Sequence, residues 1–400
     1  MVNAVIVDAV RSPVARGKEG GALSGVHPIE LLGQVFQGLL GRHNLDPALV
    51  DDVLVGCVNQ VYEQAGCIGR FSWLAAGFPE SVPSATIDRR CGSSQQAVHF
   101  AAQGVIAGAY DVVVAGGVES MSRVPLGSAS VGRDIQGPSV RGRYAPGLIP
   151  QGISAELIAA RWGLERAELD EFSARSHARA AAAAARGAFD AEIVPVRTGD
   201  PAGGGGELVT ADETVRPGTT AERLGSLPSS FRSAEMGQRF PEIDWRITAG
   251  NSSQLSDGAS AALIMSEEKA ASLGLRPLAR FHSFAVVGDD PMLMLTGPIP
   301  ATRRIVERSG IGLDEIAHFE VNEAFASIPL AWQRETKVDD ARLNPLGGAI
   351  ALGHPLGASG TRLLATMTHA LVGGGGRYGL QVMCEGGGMA NATLIENLRR

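Results

Sequence analysis

The chain reads as an α/β protein in which one layered unit occurs twice around a long, loop-rich insertion, and three features of the sequence carry that reading. Over the first 120 residues or so, short apolar runs alternate with stretches whose apolar residues recur at helical spacing. Such alternation implies parallel strands joined by helical crossovers. From about Glu119 to Asn251 the composition shifts to Gly, Pro, Arg and Ser, the residues of loops. From about Pro277 the strand and helix alternation returns. With 400 residues the chain can bury a large core, and more than one packing unit is expected.

Taken in order, residues 4–10 form a buried strand, and Leu32, Val35, Phe36, Leu39 and Leu40 trace one face of a helix. Residues 52–58 are the next strand. Ala97, Val98, Ala101, Val105 and Ile106 then mark a helix that stops at Gly108, before a strand over 111–117. The insertion holds helical islands at 154–161 and 169–186, the second with six consecutive alanines, Ala180 to Ala185. Alanine is the best helix former, so that run is structural. Gly203-Gly204-Gly205-Gly206 reads as a spacer, and an elongated substrate has room in this region. The last third predicts a strand at 279–287, a helix at 302–309, a strand at 318–321, helices at 324–334 and 358–371, and a final strand pair at 380–384 and 392–396. Both halves carry a cysteine followed by glycine, Cys91-Gly92 and Cys384-Glu385-Gly386, which suits a duplicated fold with the site between its halves.

Hydrophobic residues at 44% and charged residues at 19% are those of an ordinary globular protein. A net charge of −7 provides no long-range attraction to nucleic acid or anionic lipid. No run reaches the ~18 apolar residues of a membrane span. The N-terminus lacks the pattern of a signal peptide, and Asn397-Leu398-Arg399-Arg400 is not a peroxisomal address. Cys57, Cys67, Cys91 and Cys384 are spread without a metal-type or disulfide-framework spacing, which predicts a reducing, cytoplasmic setting. No P-loop and no GxGxxG after a strand is present, so nucleotide hydrolysis and dinucleotide chemistry have no support.

Asp88-Arg89-Arg90-Cys91-Gly92-Ser93-Ser94-Gln95-Gln96 puts one cysteine at the mouth of a helix. There unpaired backbone N–H groups and the positive end of the helix dipole favour an anion, so Cys91 is expected to ionise more readily than free cysteine and to act as a nucleophile. Three later stretches share the composition of a site. Asn322-Glu323-Ala324-Phe325 sits where a strand turns into a helix, a place where such a pair commonly serves as a cap. Gly353-His354-Pro355 encloses one histidine in a glycine-rich run, where backbone can approach a ligand closely. Cys384-Glu385-Gly386-Gly387-Gly388 offers a second thiol and bare amides.

These four stretches, in this order and spacing, resemble the thiolase superfamily, and the likeness runs from Arg11-Ser12-Pro13 to the last strand. The resemblance implies a duplicated thiolase fold, a five-layered α/β/α/β/α core with an inserted loop subdomain. Its division would be 1–120 for the N-terminal half with Cys91, 121–251 for the loop subdomain, 252–275 for the connection completing that half, and 276–400 for the C-terminal half. It implies acyl transfer through Cys91, with His354 drawing off the thiol proton and Cys384 moving the proton at the α-carbon of acetyl-CoA. One oxyanion site would be His354 with a water held by Asn322, the other the backbone N–H groups of Cys91 and Gly386. Coenzyme A is implied as substrate, contacted by Arg216 and Ser253, with no cofactor and no metal. Met294, Ala324 and Phe325 match positions lining the acyl pocket. Homodimers or homotetramers acting on CoA thioesters, without nucleic acid or membrane partners, complete the implication.

The chain departs from the short-chain biosynthetic members, which carry His-Met-Gly where it has Pro150-Gln151-Gly152. It also has Ala390 where the family's closing motif usually has glycine, a change expected at the pocket floor. The combination of Asp88-Arg89-Arg90-Cys91-Gly92-Ser93-Ser94-Gln95-Gln96 and Cys384-Glu385-Gly386-Gly387-Gly388 with Ala390-Asn391 looks most like bacterial degradative thiolases, some of which act on bulky ring-derived acyl-CoAs. The expected activity is therefore cleavage of 3-ketoacyl-CoA by CoA, in fatty-acid or steroid-type degradation. The alternatives are a biosynthetic acetyl-CoA C-acetyltransferase making acetoacetyl-CoA, a decarboxylative condensing enzyme, against which Cys384 argues, and a non-catalytic acyl-CoA-binding or lipid-binding protein, which the presence of Cys91, His354 and Cys384 disfavours.

Overall fold

A computed structural model describes residues 2–199 and 205–400; Gly203 and Gly204 of the expected spacer lie outside the described residues. The main elements of the N-terminal half are β1 (Ala4–Arg11), α1 (Pro28–Gly41), β2 (Asp52–Gly56), β3 (Ser84–Ile87), α2 (Ser93–Ile106) and β4 (Val112–Ser120). After the insertion, which contains α3 (Gln151–Arg161) and α4 (Arg166–Ala185), that half is completed by β5 (Ser256–Ser266). The C-terminal half follows as β6 (Ala279–Gly288), α5 (Pro298–Ser309), β7 (Ile316–Val321), α6 (Ser327–Thr336), α7 (Leu356–Gly374), β8 (Tyr378–Glu385) and β9 (Met389–Asn397).

The strands lie in the order β7-β8-β9-β6-β1-β5-β4-β2-β3. Within each half the topology is the same. β2 pairs parallel with both β3 and β4, and β4 is antiparallel to β5, which is antiparallel to β1. In the second half β7 is parallel to β8, and β9 runs antiparallel between β8 and β6. The counterpart of β3 is reduced there to one parallel bridge, Phe319 to Leu343. The two half-sheets join edge to edge where Val5 and Ile6 of β1 pair with Arg280 and Ala279 of β6.

Three apolar cores separate the layers. One lies between α1 and the outer face of the first half-sheet, including Val5, Leu32, Phe36 and Leu263. Another lies outside the second, including Ile299, Ile305, Phe319 and Trp332. Between them α2 and α7 pack on each other and on both half-sheets, through Ala97, Val98, Leu364 and Met367. The result is the α/β/α/β/α arrangement. The helix pair is close because of glycine: a Cβ on Gly360 would fall 2.2 Å from the Gln95 nitrogen, so no other residue fits without moving backbone.

Two elements differ from expectation. Ser256–Ser266 is a fully buried central strand of eleven residues, although Asp257, Gly258, Ser260 and the alanines break the apolar run by which strands are recognised. The helix expected from Ala324 begins only at Ser327. The backbone before it is engaged elsewhere: Ser253 N–H donates to the Ala324 carbonyl at 2.9 Å and Ala326 N–H to the Asn251 carbonyl at 2.9 Å. Among the described residues no helix is long and apolar enough to cross a membrane.

Candidate active site

Cys91 lies between β3 and α2, two residues before the helix begins, and is almost fully buried. The backbone N–H groups of Gly386 and of Cys91 itself point at its sulfur. They favour the thiolate, but burial pushes the thiol well above its ordinary value, and Cys384 and Glu385 nearby push it further. The expectation that the helix terminus alone makes this cysteine acidic is therefore corrected. In the closed site desolvation outweighs the dipole, and the resting form is the thiol, which needs a base.

His354 enters through a turn that only glycine makes comfortably, since Gly353 has φ +81° and a Cβ there would sit 2.4 Å from Ser256 Oγ. Its backbone N–H donates to Ser256 Oγ at 3.1 Å. The hydrogen bonds assign its tautomer. Ser359 Oγ donates its single hydrogen to the Pro355 carbonyl at 2.9 Å, so at 2.6 Å it must accept from His354 Nδ1–H. Nε2 is then the unprotonated nitrogen, lying 3.4 Å from Asn322 Nδ2, which donates to it. Burial, followed by the charge of Arg362, depresses the imidazole to about 3, so it stands neutral with its lone pair towards Asn322.

Asn322 joins this histidine to the second thiol, because its Nδ2 also lies 3.8 Å from Cys384 Sγ. Its Oδ1 is buried without a hydrogen-bond partner among the described residues, which suits an acceptor for a water. Neither Asn322 nor Glu323 caps a helix. Glu323 accepts from Ser176 Oγ at 2.7 Å and Asn344 Nδ2 at 2.8 Å, bracing the insertion against the loop that precedes His354. Cys384 is fully buried near the end of β8, and burial pushes its thiol up to about 12, with Asn322 opposing the shift.

Gly386 begins the three-residue turn between β8 and β9. A Cβ there would lie 2.8 Å from Gln151 Nε2, so the residue that replaces the biosynthetic members' methionine reaches this turn. Ala390 directs its methyl at Gly297, whose own Cβ would fall 2.8 Å from it, so the missing glycine at 390 is matched by one at 297. Met294, Ala324 and Phe325 are buried in one apolar cluster with Cys384, and the ring of Phe231 meets Phe325 edge-on at 5.9 Å. Arg216 is exposed and Ser253 partly exposed. Arg216 Nη2 donates to Gln254 Oε1 at 2.9 Å, and the Gln254 carbonyl accepts from His354 N–H at 3.3 Å. Two open grooves of about 400 and 510 Å³ share Arg161, Asp290 and Leu293 and are lined by neither Cys91 nor Cys384.

Ser359, Gln254 and Glu385 belong to this site and were not singled out from the sequence. Ser359 had a signal, lying five residues after His354 and so within about one turn of the helix that follows. Gln254 had none, and Glu385, though it lies within the Cys384-Glu385-Gly386 stretch, had none that pointed to its own part, because only the fold brings them to the histidine and to Gly92.

Two buried thiols, a neutral histidine whose Nε2 lone pair faces Asn322, and paired backbone donors at one sulfur are an arrangement suited to acyl transfer. The chain belongs to the thiolase family: the model "Thiolase, N-terminal domain" matches residues 4–268 and "Thiolase, C-terminal domain" residues 275–397. It is 48% identical to the steroid 3-ketoacyl-CoA thiolase FadA6 of Mycobacterium tuberculosis, over 100% of this chain and 95% of that protein. A 3-ketoacyl-CoA thiolase of Pseudoalteromonas translucida is 42% identical over the full length of both. The crystal structure of the Bacillus anthracis acetyl-CoA acetyltransferase superposes with a TM-score of 0.88 at 38% identity, covering 100% of this chain and 99% of that one.

Proposed function

We propose that this thiolase cleaves 3-ketoacyl-CoA with CoA to acetyl-CoA and a shortened acyl-CoA, in fatty-acid or steroid-type degradation. The observation that carries the reading is the pairing of Cys91, under the N–H groups of Cys91 and Gly386, with a neutral His354 and a second thiol at Cys384. His354 Nε2 takes the proton of Cys91, and the sulfur attacks the 3-keto carbon. The oxyanion formed there is held by the two backbone N–H groups, a pair of donors whose members are typically worth ~3 kcal/mol each. The bond between carbons 2 and 3 breaks, and its electron pair becomes the acetyl-CoA enolate. His354, now carrying the proton on Nε2, and a water on Asn322 hold the enolate oxygen. Cys384 delivers its proton to the enolate carbon; a thiol at about 12 stays protonated until so strong a base is present. The Cys384 thiolate then takes the proton of incoming CoA, whose sulfur attacks the acyl group on Cys91 and releases acyl-CoA. Cys91 regains its proton from His354.

Arg216 suits a phosphate of CoA, since it is exposed and its planar fork has donors beyond the one spent on Gln254. Ser253 stands beside the same loop, and Met294, Ala324 and Phe325 are assigned to the acyl pocket. The division at 120, 251 and 275, a cytoplasmic setting and a homodimer or homotetramer belong to the same proposal; four free cysteines support the setting. The names of the relatives at 48% and 42% identity favour the degradative direction, and the acetyltransferase neighbour keeps acetoacetyl-CoA in the test.

The test is CoA-dependent loss of the 3-ketoacyl-CoA enolate absorbance over a panel from acetoacetyl-CoA through long-chain to ring-bearing substrates. Turnover of the longer or ring-bearing members, abolished in Cys91→Ala, is the expected result. Activity confined to acetoacetyl-CoA would point to the biosynthetic acetyltransferase instead, and substantial thiolysis by Cys91→Ala would overturn the covalent route.

A further inference from the structure

Glu385 ends β8, one residue after Cys384, and is fully buried, yet neither carboxyl oxygen has a hydrogen-bond partner among the described residues. It lies on the N-cap of the nucleophile helix: a Cβ on Gly92 would fall 1.8 Å from Glu385 Oε1 and 2.6 Å from its Cδ. Gly92 is therefore required by this carboxyl, one residue from Cys91.

The duplicated fold supplies an internal control. Glu119, near the end of β4, reaches the start of the opposite half's central helix in the same way. Its Oε2 accepts from Gly357 N–H at 3.0 Å and Val58 N–H at 3.0 Å. Its Oε1 accepts from Asn59 N–H, Asn59 Nδ2 and Gln64 Nε2 at 3.0 to 3.1 Å. Glu119 is thus solvated as a carboxylate by five donors, whereas its counterpart Glu385 is buried with none. A buried carboxylate without donors is far more costly than a buried carboxylic acid.

We propose that Glu385 is a positioning residue of the thiolysis reaction, held as a neutral carboxylic acid so that the positive end of α2 is left to the Cys91 sulfur. Were it ionised, its charge on Gly92 would take up the helix terminus and oppose a thiolate at Cys91 and at Cys384. Burial raises Glu385 to about 8, with the charge of Arg89 as the opposing influence. The groups facing it agree. Arg89 turns Nη1 to Met389 Sδ at 3.9 Å, and its Nε has no partner, so it does not bind the carboxyl. Arg90 stands 4.0 Å from Asp88. At the turn that packs on Gly388, Asp289 accepts from Thr296 Oγ1 at 2.7 Å and Asp290 from Met292 N–H at 2.7 Å, so both are used locally. The charge of Glu385 would fall on Cys91 and Cys384, whose thiols it pushes up.

This inference takes the role of the sulfur from the thiolase reading, but its test does not use turnover. The rate of Cys91 alkylation by iodoacetamide, located by mass spectrometry, is measured from pH 7 to 9.5 in the full-length protein and in Glu385→Gln. In the parent protein the rise with pH flattens as Glu385 ionises. In the isosteric neutral variant it continues, so that Glu385→Gln is roughly tenfold more reactive at pH 9. Infrared difference spectra of the parent protein minus Glu385→Gln supply a second reading, a protonated carboxyl band at pH 6.5 that is lost by pH 9.5. Superimposable alkylation profiles, or a carboxylate band throughout that range, would overturn the proposal. Absence of thiolysis by the parent protein would instead count against the proposed function and leave this result standing.

Discussion

Ser359 is the residue through which the reactivity of His354 can be tested without touching substrate. It is fully buried, accepts from His354 Nδ1–H at 2.6 Å and donates to the Pro355 carbonyl at 2.9 Å. In Ser359→Ala the Pro355 carbonyl keeps its bond from Ala358 N–H at 2.9 Å, so the helix start stays intact and stability should change little. The histidine, by contrast, loses the acceptor that fixes its proton on Nδ1. With neutral imidazole that bond is worth about 1 kcal/mol, and as Nε2 takes up the Cys91 proton it becomes charge-assisted and worth about 1.5–3 kcal/mol. The difference falls on the transition state. At about 1.4 kcal/mol per factor of ten, that difference of about 0.5–2 kcal/mol should lower kcat roughly 2- to 30-fold while KM for CoA and for 3-ketoacyl-CoA stays within about twofold. Steady-state thiolysis of the preferred substrate, with urea unfolding as a control, measures both. Full kcat in a stably folded Ser359→Ala would refute the tautomer assignment, and a rise in KM alone would mean that Ser359 acts through substrate binding.

Two further outcomes probe the frame that holds the site. Glu119→Gln places an amide –NH2 against at least two of the five donors now on Glu119, at a cost of about 1.5–3 kcal/mol for each charge-assisted bond lost. Urea unfolding should show a loss of at least ~3 kcal/mol, and an unchanged midpoint would mean that the carboxylate is not what ties β4 to α7. His99 is fully buried, meets Thr393 Oγ1 at 2.7 Å, and is depressed by burial to about 3. Because its folded value lies below the unfolded value near 6.5, the stability it contributes is present above that pH and is lost as pH falls. Between pH 6.5 and 5 the parent protein should lose about 2 kcal/mol relative to His99→Gln, and parallel stability curves for the two proteins would exclude a neutral buried His99.

The layered core was legible because its strands and helices keep their periods: β1, α1, α2, β4, β6 and β8 fall where apolar spacing puts them. β5 was not, although it lies inside the sheet, paired on its two sides with β1 and β4. Buried on both faces and crossed by α2 and α7, it is built from small and polar residues, and Ser260 Oγ donates to the Ala358 carbonyl at 2.7 Å. Close packing there replaces the apolar signal. In the site, Cys91, His354, Asn322, Cys384 and Gly386 stood out because each lies in a short stretch of unusual composition. The groups that tune them did not. Ser359, Gln254 and Glu385 are ordinary residue types, and although Ser359 and Glu385 lie inside those same stretches, their parts depend on a hydroxyl already spent on a carbonyl, on an arginine 38 residues away, or on a glycine in the other half. The ionisation of Cys91 was misjudged for the same reason, since a helix terminus is visible in sequence and depth of burial is not.

The duplication explains why a site of this kind falls between the halves. In each half the third strand position is followed by a loop and then a central helix, and those loops carry Cys91 and His354. Each half's fourth strand ends against the opposite half's helix, Glu119 at Gly357 and Glu385 at Gly92. One arrangement thus occurs twice with opposite polar content. Around Glu119 every acceptor is met by a donor, and the ensemble fixes the start of α7, which follows directly on the loop that carries His354. Around Glu385 the donors are missing, and the unpaired N–H groups of Cys91 and Gly386 remain directed at sulfur. A symmetric pair would have produced either two rigid anchors or two unsatisfied cavities. In the proposed reaction the asymmetry gives one anchored base and one reactive thiol, and it predicts that giving Glu385 the donors Glu119 has would stabilise the fold at the expense of Cys91 reactivity.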